Sequence, residues 1–317
     1  MDRGFRNYSK CYSVPETIQE QICRYSPVLP RCIMRVICTE RSQILATRLA
    51  RKLGVPLVEV KFSRFPDGEL YLAAGGLDDE TIIVSSVVDN DALVETLLMI
   101  DACEKSSCRL VVPYMAYARQ DKQFKPGEPL SARAVARAVS RGVKDVMTVN
   151  IHDPDILRHF VVPARDLTIA PDIGAYIRTL GLKNPLILAP DEGALAFATD
   201  VASTGGWESD HLEKTRISGL EVKMAPRKLC ASSRSVVIVD DIISTGGTIA
   251  TATGMLYGQG AQDVYAACVH GVFTGGAYAR LMATGIRDVV CSDTIERGCS
   301  RVSATDRIAQ ALANAHD

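Results

Sequence analysis

The sequence has no excess of charge of either sign: 36 Lys and Arg face 37 Asp and Glu, a net charge of −1. A balanced chain offers no general field for bulk nucleic acid or an anionic membrane surface. A local basic cluster can still hold a small phosphorylated ligand. Long apolar runs are missing too; residues 235–239 are typical, and far too short to span a bilayer. There is no C-x-x-C pair, and the ten cysteines are scattered over 317 residues. Cys38, Cys268 and Cys291 stand in or beside apolar, strand-like runs, the usage of reduced thiols as small core residues in a cytosolic protein. Low-complexity tracts and short-period repeats are absent. With 47% apolar and 23% charged residues, disorder and fibrous repeats are excluded. What remains is a globular chain above the usual ~100–200 residues of one domain, so two domains are expected.

Residues 1–31 carry charges throughout, contain Pro15, Pro27 and Pro30, and lack the apolar central run of a secretory signal. Met34 then opens a clear strand. Folding is expected to begin near Met34, with residues 1–33 a flexible extension or a mis-assigned translation start. From there, apolar β-branched runs alternate with amphipathic stretches. Strands are predicted at 35–38, 57–61, 81–85, 109–112, 145–149, 185–189, 235–239, 263–269 and 288–292, and helices at 43–53, 91–104, 131–141 and 248–259. Continuous apolar strands separated by helices indicate α/β architecture with parallel sheets buried on both faces. The strands fall into two similar sets on either side of Pro163. Two doubly wound, mainly parallel-sheet domains are expected, 34–163 and 164–317, with the last helix packing on the first.

The most specific segment is SVVIVDDIISTGGTIATATG, residues 235–254. A buried strand ends in Asp240 and Asp241; Ser244, Thr245, Gly246, Gly247 and Thr248 form a small turn; a helix starts near Thr248. Ligands bind at carboxyl edges of such sheets. Backbone N–H groups of the turn and the helix dipole favour an anion there, and the three hydroxyls add phosphate donors. No Lys follows the glycines, so this is not a Walker-A loop. Two adjacent carboxylates beside a phosphate cradle suit vicinal sugar hydroxyls, with magnesium offsetting their repulsion.

VVIVDDIISTGGT resembles the phosphoribosyl-diphosphate motif of type I phosphoribosyltransferases and of ribose-phosphate pyrophosphokinases. Phe65-Pro-Asp-Gly-Glu69, Pro113-Tyr-Met-Ala-Tyr-Ala-Arg-Gln-Asp121 and Lys214-Thr-Arg216 match the pyrophosphokinases in the right order. The resemblance runs from about Met34 to the C-terminus and is greatest to archaeal-type members. It implies two domains of the type I phosphoribosyltransferase kind. The implied reaction moves the β,γ-diphosphoryl group of Mg-ATP to the anomeric hydroxyl of ribose 5-phosphate, giving 5-phosphoribosyl 1-diphosphate and AMP. It also implies a cytoplasmic homo-oligomer built from dimers, with an ATP site shared between subunits. One departure is mild: Ser244 stands where bacterial members have Asp.

Arg119, Gln120, Asp121 and Lys122 follow a strand and a proline turn. Read physically, the guanidinium fork and ammonium can clamp a triphosphate and the amide can read a base; the resemblance makes Arg119 and Gln120 ATP contacts. Asp67-Gly68 reads alone as a turn. The resemblance adds that Phe65 stacks on adenine, while Asp67 and Glu69 face the nucleotide from a neighbouring subunit. His152, at a strand's carboxyl end, stands where the resemblance places a magnesium-site histidine, acting through water or on a phosphate rather than by direct ligation; Asp191, after another strand, is the matching acid, with a helix N-cap as the lesser reading. His159, His211, His270 and His316 have weaker claims, with His211 expected in a solvated loop. Lys214 and Arg216, two apart in an extended segment of the polar stretch 203–219, project from one face. That stretch is expected to act as a lid, bringing two cations to transferring phosphoryl oxygens. Two other readings share part of these motifs: a base-salvage phosphoribosyltransferase, and a non-catalytic regulatory relative that binds nucleotide.

Overall fold

The computed structural model describes residues 34–77, 80–123, 125–216, 222–226 and 230–314, the side chains of 214–216 and 222–226 excepted. The predicted extension, residues 1–33, lies outside the described residues, as does the C-terminal His316.

Two parallel sheets organise the chain, as the alternation of apolar runs and helices predicts. The first has the order β1-β4-β5-β6-β7, built from β1 (Met34–Cys38), β4 (Glu80–Val84), β5 (Ser107–Val112), β6 (Asp145–Val149) and β7 (Ala164–Leu167). All its pairings are parallel. The last strand, β7, begins one residue after Pro163 and still pairs with β6, Val149 opposite Leu167. The second sheet has the order β10-β9-β8-β11-β12-β13-β14. Its strands are β8 (Leu186–Ala189), β9 (Glu208–Arg216), β10 (Val222–Pro226), β11 (Ser235–Ile243), β12 (Asp263–Gly271), β13 (Val289–Ser292) and β14 (Ser300–Val302). Only β10 runs antiparallel to its neighbour in this sheet.

Helices connect the parallel strands, as crossover geometry requires: α1 (Gln43–Leu53), α2 (Asn90–Ala102), α3 (Ser131–Val139), α4 (Ala170–Thr179), α5 (Leu195–Ser203), α6 (Gly247–Gly258), α7 (Ala277–Ala283) and α8 (Thr305–Ala313). Alternate strand residues sort into different cores. Val36, Val84, Val111 and Met147 of the first sheet share one core with Ile187, Val237 and Val290 of the second, filled in by Leu45, Ile173, Val201 and Ile308 from helices. Ile37, Ile83 and Leu110 face a second core, and Leu188, Ile238 and Val264 a third. Each such side chain contributes about 1.5–3 kcal/mol when fully buried. Polar ties reinforce the shared core. Glu296 accepts from the amides of Ile44 and Leu45 at 2.7 and 2.9 Å, capping α1, and Arg48 meets Asp293 at 2.6 Å.

Two expectations need correction. A strand was predicted at 57–61, but Leu57 makes only an isolated bridge to Val36. The strand proper is β2 (Val60–Arg64), which pairs antiparallel with β3 (Leu70–Ala74) as a separate hairpin. The polar stretch 203–219 suggests a lid loop with His211 solvated. Instead, Glu208–Arg216 is β9, parallel to β8, and His211 is buried opposite Ala189. Its polar composition hid a strand whose pairing is long-range.

Candidate active site

A cleft of about 880 Å³ opens where the carboxyl ends of β6, β8 and β11 meet. From the first sheet come Arg119, Asp121, Lys122 and the segment 150–154; from the second come Asp191, Gly193 and the segment 240–249. The sequence places the second group with care. β11 runs to Ile243, so Asp240 and Asp241 lie in its last turn-ward half, and the Asp241 amide donates to Asp240 Oδ1 at 2.9 Å. The chain then turns through Ser244, Thr245 and Gly246, whose φ of 71° lies in the left-handed region. A Cβ there would stand 3.1 Å from Leu281 Cγ, so glycine is needed on both conformational and steric grounds. The α6 helix starts at Gly247, and no side chain caps its first amides. They are left for an anion.

The loop is held from behind. The Phe273 and Thr274 amides donate to the Ile243 and Ser244 carbonyls at 3.1 Å each. Arg280 donates to the carbonyls of Thr245 and Gly275. Ser244 Oγ lies 3.4 Å from Thr274 Oγ1. None of these bonds consumes a loop amide that would face a phosphate.

The two halves touch directly: His152 Nδ1 lies 2.8 Å from Asp241 Oδ2. That hydrogen bond raises the His152 pKa above its ordinary value. Burial works against the Asp241 carboxylate, but the bonds from His152 and Asp240 hold it below the usual range. Burial and the charge of Asp241 push Asp240 up to about 9. At neutral pH one member of the pair therefore keeps a proton unless a cation compensates.

Seven described aspartates (Asp121, Asp153, Asp166, Asp191, Asp200, Asp240 and Asp241) line the cleft against Arg119 and Lys122. This surplus of oxygen donors, with one carboxyl too costly to ionise alone, fits a hard divalent ion such as magnesium. Among the described residues no three His, Cys, Asp or Glu form a protein-only cage. Magnesium commonly keeps waters and substrate oxygens beside one or two carboxylates.

Not every expected residue lines the cleft. Asp191 does, and its Oδ1 also accepts from the Ala194 amide at 3.3 Å, just before α5. Gln120 does not; its Oε1 accepts from Ser131 Oγ at the start of α3. Phe65, Asp67, Gly68 and Glu69 form the β2–β3 turn, away from this cleft. Phe65 is half exposed, edge-on to Tyr71 with centroids 5.8 Å apart, and the turn is closed by Phe65 and Glu69 at 2.9 Å. Lys214 and Arg216 lie in β9, opposite Met224 and Val222, and their side chains are outside the described residues.

Sequence reasoning missed Asn150, Asp166 and Thr168, which also line the cleft. Asn150 has φ 43°. An Asn directly after an apolar strand was the available signal, since Asn tolerates that conformation. Asp166 accepts from Thr148 Oγ1 at 2.6 Å and from the Ile151 amide at 3.0 Å. Nothing local marks it.

Residues 34–141 match the profile of the N-terminal domain of ribose phosphate pyrophosphokinase, and residues 172–297 the phosphoribosyl transferase domain. The ribose-phosphate pyrophosphokinase of Methanosarcina mazei is 47% identical over 284 residues, 88% of this chain and 95% of that protein. That of Methanopyrus kandleri is 41% identical over 289 residues, 89% and 99% of the two chains. The crystal structure of phosphoribosylpyrophosphate synthetase from Mycobacterium smegmatis superposes with a TM-score of 0.77 at 26% identity, covering 89% of this chain and 98% of that one. Agreement in both halves, over nearly the full length of each relative, makes this chain a member of the ribose-phosphate pyrophosphokinase family.

Proposed function

We infer that the chain is a ribose-phosphate diphosphokinase. The anomeric hydroxyl of ribose 5-phosphate attacks the β-phosphorus of ATP. The bond from that phosphorus to the α,β-bridging oxygen breaks, AMP leaves, and the hydroxyl proton is lost, giving 5-phosphoribosyl 1-diphosphate for nucleotide biosynthesis. One observation carries the reading. The His152–Asp241 contact joins the first sheet's edge, which carries Arg119 and Lys122, to an anion loop with paired acids on the second, in one cleft wide enough for two substrates.

In this reading Ser244, Thr245, Gly246, Gly247 and Thr248 hold the 5-phosphate, and Asp240 and Asp241 orient the ribose hydroxyls. Arg119, Gln120 and Asp121 receive ATP. The hairpin residues Phe65, Asp67, Gly68 and Glu69 lie outside their own chain's cleft, which suits delivery of a base-stacking ring to the cleft of a second copy in a homo-oligomer built from dimers. His152 and Asp191, beside the Asp240–Asp241 pair, would hold magnesium, which when bound neutralises charge on the ATP phosphates. Lys214 and Arg216, with Arg216 also reaching the ribose 5-phosphate, stabilise the charge that builds on the transferring group. Catalysis is then positioning plus electrostatics, without a covalent intermediate. No helix among the described residues is long and apolar enough to cross a membrane, and a cytoplasmic location fits the scattered cysteines, free wherever they fall among the described residues.

Phosphorus NMR of the purified chain with magnesium, ATP and ribose 5-phosphate tests the reading. AMP together with a sugar diphosphate is the expected result. ADP would mean γ-phosphoryl transfer and overturn it. ATP binding without turnover would move the chain to the regulatory class.

A further inference from the structure

His270 is buried at the end of β12, 2% exposed, and no role above uses it. Its ring spans the two halves. Nε2 lies 3.2 Å from the carbonyl oxygen of Asn150, at the end of β6, and Nδ1 lies 2.9 Å from Thr294 Oγ1. A carbonyl only accepts, so Nε2 carries the hydrogen and Nδ1 accepts from Thr294. The Thr294 hydroxyl also lies 3.0 Å from the Val269 carbonyl, which Ser292 Oγ already meets at the shorter distance of 2.7 Å, and 2.8 Å from Ser292 Oγ itself. Thr294 is fixed in turn, its carbonyl accepting from Ser86 Oγ at 2.5 Å. Burial pushes His270 down to about 4, so the ring is neutral at working pH.

The residue it grips is in a demanding conformation. Asn150 sits at φ 43°, its amide donating to the Leu167 carbonyl at 2.8 Å and its Oδ1 accepting from the Ile169 amide at 2.9 Å. Those bonds tie it to its own half; the His270 bond ties it to the other. Two residues on, His152 makes its 2.8 Å contact with Asp241. A gap of about 10 Å³, lined by both histidines, Tyr114 and Thr148, lies between. That is room for one water at most. Neither ring can shift far without the other's surroundings moving.

We propose that His270 is a positioning residue for the reaction: by holding the Asn150 carbonyl across the seam between the sheets, it sets where His152 meets Asp241 and so how the ATP side is registered on the ribose side. The proposal rests on the cleft being the diphosphokinase site. Outer groups that orient a reacting constellation commonly change rate by about 10–100-fold when removed.

Two isosteric variants separate positioning from architecture. In H270Q the amide nitrogen overlays Nε2 and keeps the bond to Asn150; in H270N the amide overlays Nδ1, keeping Thr294 and losing Asn150. AMP formation and calorimetric melting are compared with the parent chain. H270Q is expected to retain most of the parent kcat. H270N is expected to lose about 10–100-fold in kcat, with both KM values little changed and a melting temperature like that of H270Q. Equal kcat in the two variants, or losses that follow melting temperature, would overturn the proposal. If H270N does not fold, T294V, which frees the ring to change tautomer, takes its place. A smaller kcat loss at parent-like stability is expected there; parent-level kcat overturns it, and so does failure of all three to fold. An inactive parent chain instead sinks the diphosphokinase reading itself.

Discussion

The two parallel sheets present their carboxyl edges to one cleft, yet they build those edges differently. The first sheet's contribution brings the cleft's Arg and Lys: Arg119, Lys122 and His152 stand exposed on long connections after β5 and β6, among Asp121, Asp153 and Asp166. The second sheet's is tight and acidic: a three-residue turn from β11 into α6, with two aspartates deep enough for burial to push one of them up to about 9. Similar topology therefore supports two chemistries, decided by loop length and depth of burial rather than by fold. A flexible polyphosphate suits long cationic side chains; a phosphate and two vicinal hydroxyls suit a rigid cradle.

The largest effect should come from Lys214, proposed above to stabilise charge on the transferring group. Lys214→Ala is expected to cut kcat by about 10²–10³-fold, the usual cost of one electrostatic donor, with little change in nucleotide affinity by calorimetry. Near-parental turnover would remove β9 from the catalytic machinery. Next, the edges should separate in steady-state kinetics. Arg119→Ala is expected to raise the ATP KM by about 10–100-fold, the worth of a charge-assisted hydrogen bond, leaving the ribose 5-phosphate KM nearly unchanged. Gly246→Ala should do the reverse, because its Cβ meets Leu281 at 3.1 Å and the left-handed φ becomes strained. Crossed effects, with either variant moving both KM values equally, would break the division between the halves.

How legible these edges were in the sequence follows the same divide. The β11–α6 loop could be read residue by residue, because a strand, paired acids, hydroxyls and glycines act within ten positions. Helix 43–53 was read to its final residue, where Gly54 at φ 68° closes it. The first edge depended on resemblance, since Arg119 and Lys122 look like any solvated loop. What stayed hidden is long-range. β9 has Asp210 and His211 inside and so mimics a polar loop until it pairs with β8. The β2–β3 hairpin alternates half-buried and exposed residues, with no apolar run to mark it. The strand at 164–167 falls beyond the proline that suggested a boundary. No local pattern distinguishes His152, which is in the cleft, from His270, which is under it. Only the three-dimensional neighbours do.

A smaller effect tests the burial of the acids directly. A carboxyl whose folded pKa is raised from 3.8 to about 9 contributes stability below its unfolded pKa and loses it as pH rises toward 9. Asp240→Asn should therefore raise the melting temperature of magnesium-free protein at pH 8, by about 2–4 °C for each kcal/mol of burial cost relieved, while lowering activity. No gain would mean the pair is less desolvated than its surroundings imply.

The smallest effect concerns the shape of the pH profile. His270 is shifted the other way, from 6.5 down to about 4, so the unfolded chain binds a proton there that the native chain refuses. Stability must rise with pH between about 4 and 6.5 on its account, by up to ~1.4 kcal/mol per pH unit. Asp240 falls across that window with the opposite sign, one proton against one. Between about 4 and 6.5 these two slopes offset, and above 6.5 the decline from Asp240 remains, joined by that of His152, whose pKa is also raised. His270→Gln should expose that decline from pH 4 upward, and Asp240→Asn should expose the rise from His270. Melting temperature followed from pH 4 to 8 in magnesium-free buffer reads both. Parallel curves for the two variants would mean that neither buried group titrates as its burial requires. The seam and the acid pair would then be far wetter than the packing around them allows.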